Sequence, residues 1–178
     1  DVGATTLALA GAELPNYLEG QNLFGPEYIA AEYVLGARDR CDYTIDRIRT
    51  VRSDHYRYIR NYYLDRPLMQ PGYRDDRPPS MDMRRLFKAG ELTEYQAEHW
   101  FGLRPREELY DMDADPHQIN NLATLPDFQA ELLRHREVLE NWINDSDDQG
   151  QYSESDVQLR ATYELSLIHI SEPTRHAS

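Results

Sequence analysis

The 178-residue chain has one cysteine, Cys41, one lysine, Lys88, and only two tryptophans. A single cysteine excludes an internal disulfide framework and any cysteine-based zinc cluster. No apolar run approaches the ~18–20 residues that a membrane-spanning helix needs, so no membrane span is expected. The opening, Asp1-Val2-Gly3-Ala4-Thr5, lacks the basic-then-apolar pattern of a signal peptide and reads as the inside of a longer sequence. Against these shortages stand 40% hydrophobic and 11% aromatic residues, enough to build a core and to set wholesale disorder aside.

Negative charge dominates the total, with 19 Lys+Arg against 32 Asp+Glu and a net charge of −13, which argues against nucleic acid as a partner. Its distribution is uneven. Residues 1–37 carry no basic residue, whereas residues 38–88 hold 13 basic residues against 8 acids, all Asp. Residues 89–178 hold only 6 basic residues against 19 acids. Every basic residue except Lys88 is Arg, whose planar fork of donors suits carboxylate, phosphate or sulfate. The Arg-rich middle therefore has two readings: internal Arg–Asp pairs on a solvated sheet face, or a surface that meets an oxyanion.

Local pattern places the elements. Val2–Ala10 is small and apolar with Gly11 behind it, which predicts a short buried helix. Tyr33–Ala37 predicts a short strand that ends at Arg38-Asp39-Arg40. Alternation from Ile45 to Asn61 predicts a hairpin with Ser53-Asp54-His55 at its turn. Pro67–Pro79 reads as a long loop. Ser80 is a candidate cap for a helix running to Gly90, and Thr93 for another over Glu94–Trp100. Glu107–Met112 predicts a strand. Thr124-Leu125-Pro126-Asp127 then opens a helix on which Phe128, Leu132, His135, Leu139 and Trp142 form one apolar stripe, the mark of a helix packed on a sheet. Asp145–Asp156 is acidic and reads as flexible. The sum is an α+β unit: a small antiparallel sheet with a packed amphipathic helix.

Candidate site residues follow from chemistry. Arg38, Asp39 and Arg40 fall at a strand end, where two guanidinium groups are suited to a sulfated or carboxylated sugar and Asp39 to its hydroxyls; a ladder of Arg–Asp pairs fixing the hairpin is the competing reading. Cys41 reads as a small half-buried thiol. His55 reads as an exposed turn residue, and His117 and His135 as structural. Asp111-x-Asp113-x-Asp115 has the carboxylate spacing of a calcium loop, but Pro116 and Leu122 stand where that loop needs Gly and Glu. Asp side chains capping backbone amides in a turn are the expectation there.

Three stretches together resemble the sulfatases of the alkaline-phosphatase superfamily. Asp1–Gly11, with Pro15 and Gly20-Gln21, is similar to the helix and loop that follow the metal-binding core of that family. Arg38-Asp39-Arg40-Cys41-Asp42, Arg47–Arg52 and Tyr56–Asn61 resemble its C-terminal hairpin. Glu108-Leu109-Tyr110-Asp111, Asp115-Pro116-His117-Gln118 and Asn120-Asn121-Leu122-Ala123 resemble the family's C-terminal signature, and the pattern is nearest to heparan N-sulfatase-like and arylsulfatase-like members.

The resemblance implies that residues 1–30 end the large α/β domain and residues 31–145 form the C-terminal subdomain. Residues 146–164 are then an acidic flexible segment, and 165–178 a tail that reads as non-native. It also implies a hydrolase of sulfate esters or sulfamates on sulfated carbohydrate, working with a formylglycine and Ca²⁺ sited upstream of this chain, in a periplasmic or extracellular setting. The chain alone is then expected to be inactive, with no catalytic or metal-binding residue of its own. Its Arg38, Asp39 and Arg40 would line the mouth of the substrate pocket. Cys41 lacks the Pro and Arg of the family's nucleophile pattern; Ser171-Glu172-Pro173-Thr174-Arg175 fits the bare pattern, but at the wrong end of the chain. Two other functions stay open: an anionic-polysaccharide-binding module without catalysis, and a phosphatase or phosphodiesterase of the same superfamily.

Overall fold

A computed structural model describes residues 1–41, 44–72 and 74–171, without the side chains of 151 and 165–171. Two compact units divide the chain, Asp1–Glu32 and Tyr33–Ser178.

In the first unit, helix α1 (Val2–Leu9) is capped by Ala10 and followed by Gly11, which adopts φ +73°. The loop behind it folds back on the helix start: Gln21 N donates to Asp1 Oδ1 (2.8 Å) and Leu23 N to Thr5 Oγ1 (2.9 Å). Gly20 sits so close to this start that a Cβ there would stand 2.9 Å from Asp1 N, so glycine is required. The helix is predicted buried but within its unit only Ala4 and Thr5 are; Val2, Leu9, Phe24 and Ile29 are exposed. A unit of this size has too little chain to cover its own apolar surface.

The second unit is built on a four-stranded antiparallel sheet in the order β1 (Val34–Cys41), β2 (Thr44–Arg52), β3 (Tyr56–Asn61), β4 (Glu107–Asp111). The β2–β3 hairpin turns at Ser53–His55 as its alternation predicts. Strand β1 runs on through Arg38-Asp39-Arg40, where the sequence pattern ends it, because an edge strand needs an apolar residue on only one face. Its ladder with β2 is irregular between Arg38 and Arg40.

The register sorts side chains into rows. Val51, Tyr58 and Leu109 are direct partners across β2, β3 and β4, all with 0% exposure, and they form the floor of the core. Helix α4 (Gln129–Asp145) lies on them through Leu132, Leu139 and Ile143. The expected stripe is present, with Phe128 and Trp142 at its partly buried edge. His135 is fully buried within it: its Nδ1 donates to the Glu131 carbonyl at 3.0 Å, and its Nε2 is hydrogen-bonded to Ser53 Oγ at 3.0 Å. Pro126–Phe128 forms a 3₁₀ turn before α4, so Thr124 is not the helix cap.

The next row on the same face, Arg49, Arg60 and Glu107, is charged and meets α4 and the segment C-terminal to it. Arg60 pairs with Glu140 (3.0 Å) and Glu107 with Arg136 (2.7 Å). Tyr58 donates its hydroxyl to Glu107 at 2.6 Å; burial first, and that carboxylate second, push its phenol up to about 12. The acidic segment after α4 is tied to this row: Asp148 accepts from the Arg49 guanidinium at 2.7 and 3.0 Å. Beyond it runs helix α5 (Asp156–Ser171), so most of the motif Ser171–Arg175 lies outside the described residues.

Helices α2 (Pro78–Ala89) and α3 (Glu94–Phe101) lie between β3 and β4 in sequence. Helix α2 starts at Pro78, ahead of the expected cap Ser80, because a proline at the first helical position has its φ already set. Thr93 and Gln96 close the expected start of α3 as a reciprocal capping box. Phe87 stacks on Phe101 with centroids 3.9 Å apart and joins the two helices.

Candidate anion-binding cavity

The sheet face turned away from α4 is the floor of a cavity of about 740 Å³, within the range of small-molecule sites. Ile48, Thr50 and Ile59 supply its apolar base. One wall comes from α3 and the turn after it, with Tyr95, Glu98, His99 and Arg104; the other is the segment His117–Ile119 that follows β4.

Asp46, 2% exposed, anchors one end. Arg104 meets it with two donors at 2.8 and 3.0 Å, and Arg38 approaches at 3.9 Å. The buried carboxylate is thus fully compensated, which burial of a charge requires. Nε of Arg104, also buried, finds no partner among the described residues. Further along, Glu108 accepts from Asn61 Nδ2 and from Tyr110 OH, each at 2.6 Å. Burial, and then this carboxylate, raise the Tyr110 phenol well above its ordinary value.

The wall beyond β4 is set by the most specific part of the sequence. Asp111 Oδ1 accepts from the amides of Asp113 (3.0 Å) and Ala114 (2.9 Å), and Asp115 Oδ2 from those of Ile119 and Asn120 (2.7 Å each). These carboxylates cap a turn, as expected, each through one oxygen that accepts from two backbone amides. Asp113 instead meets the exposed His55 at its Nδ1, which raises the His55 pKa. The loop holds Gln118 at φ +56°, and Gln118 Oε1 accepts from Arg57 at 2.9 Å.

Of the three sequence-predicted site residues, the structure brings one to this cavity. Arg38 lines it. Asp39 points to the other face and pairs with the buried Arg49 at 2.8 Å. Arg40 pairs with Glu154 at 3.0 Å and donates to Thr162 of α5. Sequence reasoning missed Arg57, Arg104 and Asp46. Arg57 had a signal: with Tyr58 turned inward on a strand, Arg57 must face the other way. Arg104 had none, because its role depends on a carboxylate 58 residues away. Cys41, expected half-buried, is exposed at the end of edge strand β1.

Calcium and formylglycine do not fit the residues described. Among them no group of three or more His, Cys, Asp or Glu is placed to hold a metal ion, and Asp111, Asp113 and Asp115 each already give one oxygen to backbone amides or to His55. Cys41 stands in no nucleophile pattern.

Comparisons with known proteins agree with one another. The sequence is 34% identical over 160 residues to an ulvan-active sulfatase of Formosa agariphila, covering 88% of this chain and 27% of that protein. It is 30% identical over 145 residues to human N-sulphoglucosamine sulphohydrolase, covering 79% of this chain and 27% of the relative. The solved structure of a 2-O GAG sulfatase shares the fold with a TM-score of 0.56 and 22% identity, over 90% of this chain and 28% of that one. No family model matches. The curated relatives of the chain are sulfatases, and the chain carries the α+β fold of the sulfatase C-terminal subdomain. It spans about a quarter of the length of the relatives it matches.

Proposed function

We propose that the chain is the C-terminal part of a sulfatase that hydrolyses sulfate esters or sulfamates on sulfated carbohydrate, and that it contributes substrate contacts rather than the chemical step. The observation that carries this reading is the cavity itself. It is lined by arginine, histidine and tyrosine side chains on a sheet face that no helix of the described second unit covers as α4 covers the other. Arginine forks match the geometry of a sulfate group, and a mostly apolar floor with a few polar groups suits a sugar ring. The names of the two relatives, an ulvan-active sulfatase and an N-sulphoglucosamine sulphohydrolase, support a sulfated glycan as the substrate class. Exposed Val2, Leu9, Phe24 and Ile29 in the first unit support its belonging to a larger body of protein.

The reacting groups, a formylglycine and Ca²⁺, then belong to the part of the protein that this chain does not span, and the whole enzyme works in the periplasm or outside the cell. The longer polypeptide is expected to carry Cys or Ser followed by x-Pro-x-Arg. It is also expected to release sulfate from a sulfated polysaccharide in preference to phosphate from a phosphate ester. Phosphate release alone, with an unmodified Ser or Thr nucleophile, would move the protein to the phosphatase branch.

A further inference from the structure

The arginines of the cavity are not equivalent. Arg38 and Arg104 both lead to Asp46, at 3.9 and 2.8 Å. Arg57 meets no carboxylate at ion-pair distance among the described residues; its guanidinium donates to two neutral oxygens, Thr50 Oγ1 (3.4 Å) and Gln118 Oε1 (2.9 Å). Directly across the ladder stands Arg52, exposed and likewise without a carboxylate partner among the described residues. Two arginines facing each other across a strand pair, with Cβ atoms about 5 Å apart, repel, and a bound anion relieves that repulsion.

Gln118 makes the arrangement more specific. Its left-handed backbone is costly for a residue with a side chain, and such conformations cluster at binding sites. Asp115 maintains it, through the two amides held by Oδ2 and through its carbonyl, which accepts from Gln118 N at 3.0 Å. The result is a neutral amide oxygen that orients the Arg57 fork without cancelling its charge. On the cavity's other wall, Tyr95 and Glu98 offer a ring and a hydroxyl acceptor.

We propose that Arg57, with Arg52 opposite it and Gln118 orienting it, binds the sulfate group of a sulfated sugar unit seated in the cavity. Glu98 accepts from the sugar's hydroxyls. This subsite rests on the sulfated-glycan reading above and assigns it to residues outside the Arg38-Asp39-Arg40 segment.

The test is a titration of the 178-residue chain with glucosamine 6-sulfate, followed by amide shifts in ¹H–¹⁵N spectra. Saturable shifts are expected at Arg57 and Gln118, and none with unsulfated glucosamine. Arg57→Ala should weaken binding about tenfold or more, as expected for a lost charge-assisted hydrogen bond. Gln118→Glu keeps the side-chain length but sets a carboxylate against the guanidinium. It should abolish binding while leaving the melting temperature unchanged or higher, which separates lost charge from lost fold. Lys88→Ala, which removes an exposed positive charge from α2, should leave affinity within about twofold.

Equal affinity in Arg57→Ala and the unmodified chain overturns the proposal. So does equal loss in Lys88→Ala, or an unmodified chain that shows no saturable shift. If the longer polypeptide releases sulfate but the chain shows no Arg57-dependent binding, the subsite falls and the sulfatase reading stands. If Arg57-dependent binding is found and the longer polypeptide releases no sulfate, the sulfatase reading falls alone.

Discussion

Replacing Leu139 with alanine is expected to lower the stability of the chain by about 3–4 kcal/mol, in the middle of the range for buried leucines. Leu139 has 0% exposure and sits at the centre of the α4 stripe, in the same buried cluster as Val51, Tyr58 and Leu109. A helix rigidly joined to the sheet by flanking ion pairs, Arg60–Glu140 and Arg136–Glu107, has little freedom to sink into the space a leucine leaves. The cavity term therefore adds to the lost transfer energy. For a unit of this size the loss corresponds to a fall of roughly 10 °C in melting temperature, read by circular dichroism. Leu133, one helical position from the stripe and exposed, is the comparison. Leu133→Ala should change stability by less than about 0.5 kcal/mol.

The second large effect belongs to Arg49. Its side chain is 1% exposed and is shared between Asp39 at 2.8 Å and Asp148 at 2.7 Å. Gly150 passes so close to the guanidinium that a Cβ there would overlap it. Arg49→Met keeps much of the volume but leaves Asp148, itself mostly buried, without its partner, at an expected cost of about 3 kcal/mol. Combining Arg49→Met with Asp148→Asn removes both charges and should recover most of that loss, so the two changes are strongly non-additive.

The pH dependence carries a definite sign. Hydrogen bonds from Arg49 hold the Asp148 carboxyl below the ordinary carboxylate range, against the opposite effect of burial and with help from the Gly150 amide. A depressed folded-state value means that the pair stabilises the fold above about pH 4, where the unfolded carboxyl is ionised, and that this contribution disappears as pH falls through the lower folded value. In chemical-denaturation series from pH 7 downward, the unmodified chain should lose this increment on acidification. The double variant should lack it.

These two sites also show what was legible in the sequence. Spacings of four and three from Phe128 to Trp142 identify the packed face of α4 without any tertiary information, because helix periodicity alone brings those positions to one side. The hairpin and β4 were equally legible, through alternation and turn residues. Arg49 was not. An arginine two positions before a core valine on a strand must share its inward face, but nothing local shows that a carboxylate 99 residues later reaches it. The acidic stretch after α4 read as flexible for the same reason: its charge is the visible feature, and the buried guanidinium that takes up Asp148 is remote. The candidate site divided similarly. Adjacent residues Arg38, Asp39 and Arg40 look like one cluster in sequence, yet strand alternation and the irregular β1–β2 ladder send them to separate partners. The residues that meet at the far end of the cavity, Arg57 and Gln118, are 61 positions apart and never look like neighbours.

The Arg-rich middle of the chain is resolved by the two faces of the sheet. On the α4 face, Arg49 and Arg60 are spent on internal ion pairs. On the cavity face Arg38 approaches Asp46, while Arg52 and Arg57 meet no carboxylate at ion-pair distance among the described residues, so internal pairing accounts for part of the segment and the proposed sulfate subsite draws on the rest.

On the proposed reading, this chain recognises a sulfated sugar while the hydrolytic groups lie in the rest of the enzyme. Incubating the purified, folded 178-residue chain with N-sulfated and O-sulfated disaccharides, with calcium present, and quantifying free sulfate by ion chromatography tests it most directly. No sulfate above the protein-free control is expected. Release that scales with protein concentration and is lost on denaturation would contradict it.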